Sequence, residues 1–263
     1  MNNQPIGVFD SGIGGLTILR ALRKALPNEH LIYFGDTANV PYGGKSKAAV
    51  TQLALKVARF LESCQVKLIV VACNTASAQA LTALQKKLSV PIVGVIEPGA
   101  DAAVKATQNH KIAVLGTQGT VESRAYVKAI AKRCKHAKVF QQACPLFVPL
   151  AEEGFSNKPA AKLIAQEYLQ PVKKSRADTV ILGCTHYPIL KKLIAKIMGP
   201  QVTLVDSADT LARAVSLFLQ THHLAAIGRG RVKLYASDAP DKFTRSAQKL
   251  LGEKTARATL KKV

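Results

Sequence analysis

Short apolar runs rich in Val, Ile and Leu alternate along this chain with segments whose apolar residues recur at spacings of three and four. Strands are predicted at 6–9, 31–35, 68–72, 92–96, 111–116, 137–141, 179–182, 201–205 and 232–236. Helical patterns fill 15–25, 46–64, 77–88, 121–133 and 160–171. A strand that is apolar at every position has both faces covered. Such strands alternating with helices specify an α/β fold with parallel sheet.

The pattern also repeats. IGVFDSGIGGLT (6–17) resembles KIAVLGTQGTVES (111–123), each a strand running into a turn rich in glycine and hydroxyls. LIVVACNTASA (68–78) resembles VILGCTHYPIL (180–190), and VGVIEPGADAA (93–103) resembles TLVDSADTLAR (203–213). Aligning Ile6 with Ile112, Cys73 with Cys184 and Glu97 with Asp206 gives offsets of 106, 111 and 109. Generic strand–helix units resemble one another by chance. The two cysteines argue against that here, because both fall at the C-terminal end of a strand, where open parallel sheets bind ligands. Two pseudo-symmetric parallel-sheet halves, flavodoxin-like in type, are expected to present two thiols to one cleft.

Composition narrows the function classes. Basic residues outnumber acidic ones 37 to 16, a formal charge of +21, yet 48% of the 263 residues are apolar, so a core can form. No apolar run approaches the roughly 18 residues of a membrane span. No basic residue precedes Arg20, so no signal-peptide n-region is read and a cytoplasmic protein is expected. Five cysteines without Cys-x-x-Cys spacing read as free thiols, and Cys64, Cys134 and Cys144 as structural or incidental. The surplus of positive charge is seven in each of 1–130, 131–228 and 229–263. It is densest in the last segment, where Arg229, Arg231 and Lys233 lie by a strand and Lys254, Arg257, Lys261 and Lys262 on an expected helical tail. A basic surface of this kind attracts polyanions without sequence choice. The absence of Trp and the 5% aromatic content disfavour base stacking.

The turns after the strands carry the chemistry. Asp10-Ser11-Gly12-Ile13-Gly14-Gly15 matches neither a dinucleotide fingerprint nor a P-loop, and its Asp would repel a pyrophosphate. A small substrate carrying both ammonium and carboxylate suits it better. Cys73-Asn74-Thr75 and Cys184-Thr185-His186 each place hydrogen-bonding side chains beside a thiol. Inverting a stereocentre that bears a C–H bond needs a base on one face and an acid on the other, exchanging roles in reverse. A thiol with an ordinary pKa of about 8.5 can do both near neutrality. Asp10 beside one thiol and His186 beside the other could assist, provided a turn after Cys184 brings His186 back to the cleft.

DSGIGGLTIL (10–19), DTANVPYG (36–43), VVACNTASA (70–78), VPLAEEG (148–154), GCTHYP (183–188) and YASDAPDKF (235–243) together resemble the glutamate racemases of the aspartate/glutamate racemase superfamily, over essentially the whole chain. The resemblance implies a cofactor-independent enzyme interconverting L- and D-glutamate for peptidoglycan synthesis. It implies Cys73 as base toward D-glutamate and Cys184 toward L-glutamate, Asp10 assisting the first, and His186 with Glu152 the second. Ser11, Tyr42, Gly43, Asn74, Thr75 and Thr185 match substrate-binding positions together with Asp10 and His186, and Thr117 and Thr120 are candidates for the side-chain carboxylate. One domain would comprise 1–97 and 207–263, the other 98–206, inserted. A homodimer is expected, and no activation by a peptidoglycan precursor, since the first strand begins about five residues in.

Two alternatives stay open at this stage. Cys73, Cys184, His186 and Asp10 are residue types that would suit Zn²⁺ in a hydrolase. The basic C-terminal segment would suit nucleic acid, alone or as a second activity, and the resemblance to glutamate racemases, some of which inhibit DNA gyrase, adds contact with gyrase as a further candidate partner. For a racemase, the positive field has another use, capture of a substrate of net charge −1.

Overall fold

The computed structural model describes residues 2–252 and 257–263. Among the described residues ten strands form two wholly parallel sheets. The first contains β1 (Ile6–Asp10), β2 (Leu31–Gly35), β3 (Leu68–Val71), β4 (Ile92–Gly94), β9 (Val232–Ala236) and β10 (Thr259–Leu260), in the order β10-β9-β2-β1-β3-β4. The second contains β5 (Lys111–Gly116), β6 (Lys138–Ala143), β7 (Thr179–Gly183) and β8 (Thr203–Asp206), in the order β6-β5-β7-β8. Every residue of β1, β2, β3 and β7 is buried, as continuous apolar strands covered on both faces must be.

The two sheets share one topology, since β2-β1-β3-β4 and β6-β5-β7-β8 have the same strand order. Ile6 pairs with Leu68 and Ile112 with Thr179, so the sequence alignment of Ile6 with Ile112 matches the register. Cys73 and Cys184 each lie two residues beyond equivalent paired positions, Val71 and Leu182. The third alignment is corrected. Val71 pairs with Gly94 and Leu182 with Asp206, so Gly94, not Glu97, is the counterpart of Asp206. Glu97 already belongs to a helix and reaches outward to Arg133 at 2.6 Å.

The helices are α1 (Leu16–Ala25), α2 (Lys47–Ser63), α3 (Asn74–Gln79), α4 (Leu81–Lys87), α5 (Ile96–Ala106), α6 (Gln118–Ser123), α7 (Ala125–Arg133), α8 (Phe147–Glu152), α9 (Pro159–Lys174), α10 (Lys191–Met198), α11 (Ser207–Thr221) and α12 (Pro240–Leu251). One apolar cluster runs from Val8 and Leu19 through Ala100 and Leu211 to Val114 and Ile181, joining the sheets through α1, α5 and α11. Each large aliphatic side chain buried there contributes about 1.5–3 kcal/mol. Two sequence expectations change. The helix predicted over 77–88 divides at Ala80, and the tail expected to be helical contributes β10, paired with β9, within the described residues 257–263. Lys254 lies outside the described residues.

Candidate active site

The C-terminal ends of β1, β3, β5 and β7 converge on one cavity. Ser11, Tyr42, Gly43, Cys73, Asn74, Thr75, Thr117, Cys184, Thr185 and His186 line it, with Val40, Pro41 and Val148. Both thiols therefore face one space, each about 5% exposed. Asp10, Thr120 and Glu152 do not line it; they stand behind residues that do.

Asp10 is fully buried at the end of β1. Its Oδ2 accepts the Gly12 and Gly15 backbone amides at 3.1 Å each, which folds the glycine-rich turn around the carboxylate. Its Oδ1 accepts Thr185 Oγ1 from the other half at 3.3 Å. Thr17 Oγ1 adds a second tie across the cleft, to the Thr185 carbonyl at 3.4 Å. Asp10 thus reaches Cys73 through its charge rather than through a direct bond.

Cys73 closes β3 and caps α3, its sulfur accepting the Ala76 amide at 3.5 Å and lying 3.9 Å from Ser11 Oγ. Burial is the main cause that pushes this thiol up to about 12. The Asp10 charge adds to it, while the Ala76 and Ser11 hydrogen bonds oppose it. At neutral pH Cys73 is therefore a thiol.

On the opposite side β7 ends at Gly183, and the Tyr187 amide donates to the Cys184 carbonyl at 3.1 Å. That turn brings His186 back, Nδ1 to 3.9 Å from the Cys184 sulfur, as the sequence reading required. The room for it comes from Gly14, where a Cβ would lie 2.6 Å from the His186 ring. His186 Nε2 lies 3.0 Å from Glu152 Oε1 at the end of α8. Burial alone would lower the imidazole. Hydrogen bonding to Cys184 and Glu152, with the charges of Cys184 and Asp10, outweighs that and raises it to about 10. The His186 hydrogen bond in turn lowers Glu152. The result is an imidazolium beside Cys184.

Hydroxyls meet where the halves touch. Thr75 and Thr117 lie 2.9 Å apart, and Thr120 closes the cluster at 3.0 Å from Thr117. Tyr42 is turned away from this role, because its hydroxyl donates to Asp36 Oδ2 at 2.6 Å, leaving its ring and backbone to the cavity. Asp36, buried and also accepting from Ser237 at 2.7 Å and Asn39 at 3.0 Å, was not singled out in the sequence. Its place in DTANVPYG was the available signal. Cys64 and Cys134 terminate α2 and α7, and Cys144 is buried among apolar residues of the second half without lining the cavity. Among the described residues no three His, Cys, Asp or Glu side chains are grouped to hold a metal ion, so the zinc alternative gains no support. Nothing in the fold favours the nucleic-acid or gyrase alternative either. No described helix is long and apolar enough to cross a membrane.

Residues 7–215 match the family model described as Asp/Glu/Hydantoin racemase. The chain is 50% identical over 251 residues to the glutamate racemase of Geobacter metallireducens, covering 95% of this chain and 93% of that one. A crystal structure of a Bacillus anthracis glutamate racemase isoform superposes with a TM-score of 0.95 at 37% identity, covering 100% of this chain and 98% of the other. The Francisella tularensis glutamate racemase, solved in complex with D-glutamate, gives 0.92 at 37% identity, with 99% and 98% covered.

Proposed function

The chain belongs to the glutamate racemases of the Asp/Glu/hydantoin racemase family, and from that premise we propose that it inverts glutamate at Cα by two-base proton transfer between Cys73 and Cys184, without a cofactor. The observation that carries this is the position of the two thiols, at equivalent strand ends of two like sheets and lining one cavity.

Toward D-glutamate, the Cys73 thiolate removes the Cα proton and the C–H electron pair stays on carbon. The Cys184 thiol then delivers a proton to the opposite face. L-Glutamate reverses the roles, with Cys184 as base and Cys73 as acid. Because burial and Asp10 keep the proton on Cys73 at neutral pH, Cys73 already stands in the acid form that the L-glutamate direction uses. His186 supplies the positive charge beside Cys184 when that sulfur is a thiolate, and Glu152 holds the imidazolium. Asp10 fixes the first turn and links it to Thr185. Ser11, Tyr42, Gly43, Asn74, Thr75, Thr117, Thr185 and the backbone at His186 hold the substrate, with Thr120 ordering the threonine cluster.

The same reading makes the enzyme a cytoplasmic supplier of D-glutamate for peptidoglycan. Its domains are 1–97 with 207–263, and 98–206, and it acts as a homodimer. Enantiopure glutamate incubated with metal-free, dialysed enzyme in D₂O tests it. Loss of the circular dichroism signal with deuterium at Cα is expected. Racemisation that retains the original Cα hydrogen, or that stops until a cofactor is added, overturns it.

A further inference from the structure

Asn74 is 2% exposed and lines the cavity, yet its carboxamide oxygen has no hydrogen-bond partner among the described residues. Its nitrogen has two, donating to the Tyr126 hydroxyl at 2.9 Å and to Ser207 Oγ at 3.4 Å. A side-chain amide can present either end unless its neighbours decide. Ser207 decides here. Its hydroxyl donates its only hydrogen to the Leu182 backbone carbonyl at 3.2 Å, a group that can only accept. Toward Asn74 it offers a lone pair, so the amide must turn its NH₂ that way and its oxygen the other. Tyr126 is compatible with that orientation, since its hydroxyl is hydrogen-bonded to both Ser207 and Asn74 and can give its hydrogen to Ser207 while accepting from the amide. Burial raises its hydroxyl to about 12 against the hydrogen bonds of Ser207 and Asn74, so it stays neutral. Its ring is held against Gly183, where a Cβ would lie 3.2 Å from Cε2.

We propose that Ser207 and Tyr126 are positioning residues that lock the Asn74 amide with Oδ1 toward the cavity, as an acceptor reserved for the α-ammonium of the substrate. The inference rests on glutamate being the substrate. Of glutamate's polar groups, both carboxylates only accept and the ammonium only donates. A buried, unpartnered carbonyl oxygen therefore favours the ammonium and opposes a carboxylate in its place. The lock also crosses the fold. Asn74 follows Cys73 in the first half, Tyr126 lies on α7 of the second, and Ser207 opens α11 and bonds β7, the strand just before Cys184.

The test compares KM for both glutamate enantiomers with the inhibition constant of glutarate, which has the same two carboxylates and no ammonium. Ser207→Ala frees the Tyr126 hydroxyl to donate to Asn74 Oδ1 and lets the amide turn round. KM is expected to rise about tenfold or more in both directions while the glutarate constant stays within about twofold and kcat changes less than KM. Tyr126→Phe, which removes the 2.9 Å acceptor, is expected to move the same ratio in the same direction by less, because Ser207 still demands the NH₂. Ser207→Thr restores the hydroxyl and should restore the ratio. If Ser207→Ala does not fold, Tyr126→Phe carries the comparison. KM and the glutarate constant moving in parallel, or a ratio unchanged in the folded variants, overturns the proposal. A wild-type chain that fails to racemise glutamate refutes the underlying reading first, and separately.

Discussion

Replacing Glu152 by Gln should move the alkaline limb of the pH–rate profile downward. Glu152 Oε1 lies 3.0 Å from His186 Nε2, with side-chain exposures of 29% and 3%. A hydrogen bond between charged groups contributes about 1.5–3 kcal/mol, and the partial exposure of Glu152 argues for the lower end. At 1.36 kcal/mol per pKa unit, that is about one unit. His186, raised to about 10 in the native chain, should then titrate roughly one unit lower in the variant. Cys73 holds its proton to about 12, so a limb near 10 reports on the imidazolium rather than on that acid. The assay is initial-rate racemisation from each enantiomer between pH 6.5 and 10.5. The two substrates are mirror images, so the equilibrium constant is one and kcat/KM must be equal in both directions at every pH. A variant limb within about 0.3 unit of the native one would show that Glu152 does not support the His186 charge, and would refute this reasoning. The same group links pH to stability. His186 is raised above its unfolded value, so its contribution is full below the unfolded pKa of about 6.5 and is lost as pH rises through about 10. Glu152→Gln should flatten the decline in stability over that window.

Three further outcomes are expected. Gly14→Ala would place a Cβ 2.6 Å from the His186 ring, and displacing that turn should lower kcat/KM about 100-fold, at a stability cost of about 1–3 kcal/mol in urea unfolding. Lys67 is buried in a 2.6 Å ion pair with Glu29 and donates to the Asn2 and Leu224 carbonyls at 2.6 and 2.7 Å. Lys67→Met strands Glu29 at the end of the sheet away from the cavity and should cost about 3–5 kcal/mol, a Tm fall of roughly 6–20 °C by calorimetry, with Glu29→Gln recovering part of it. If the +21 charge aids capture of an anion, KM should rise as the Debye length shrinks from about 30 to 3 Å between 0.01 and 1 M salt, with kcat nearly constant; a flat KM removes that role.

The sequence made the layered fold legible because its inner strands are apolar at every position, a pattern that depends on no distant partner. It also revealed the repeat, since Ile6 with Ile112 and Cys73 with Cys184 match the strand registers. Glu97 was paired wrongly because α5 starts so soon after β4 that strand and helix share one apolar run. β10 is two exposed residues, too short to show any alternation. The cavity-lining motifs were legible for a similar reason: each is contiguous with a strand end. Asp36, Tyr126 and Ser207 were not, because what they do depends on side chains 6, 52 and 133 positions from their partners. The orientation of an amide is a tertiary property that no local spacing reports.

The central claim is that two thiols act from opposite faces of one carbon. Its most direct test is racemisation of each glutamate enantiomer by Cys73→Ala and Cys184→Ala, with folding verified by thermal melting. Each variant should lose racemisation from both enantiomers, because a single remaining thiol cannot both take and return the proton across the plane of Cα. Native-like racemisation by either folded variant would contradict the account.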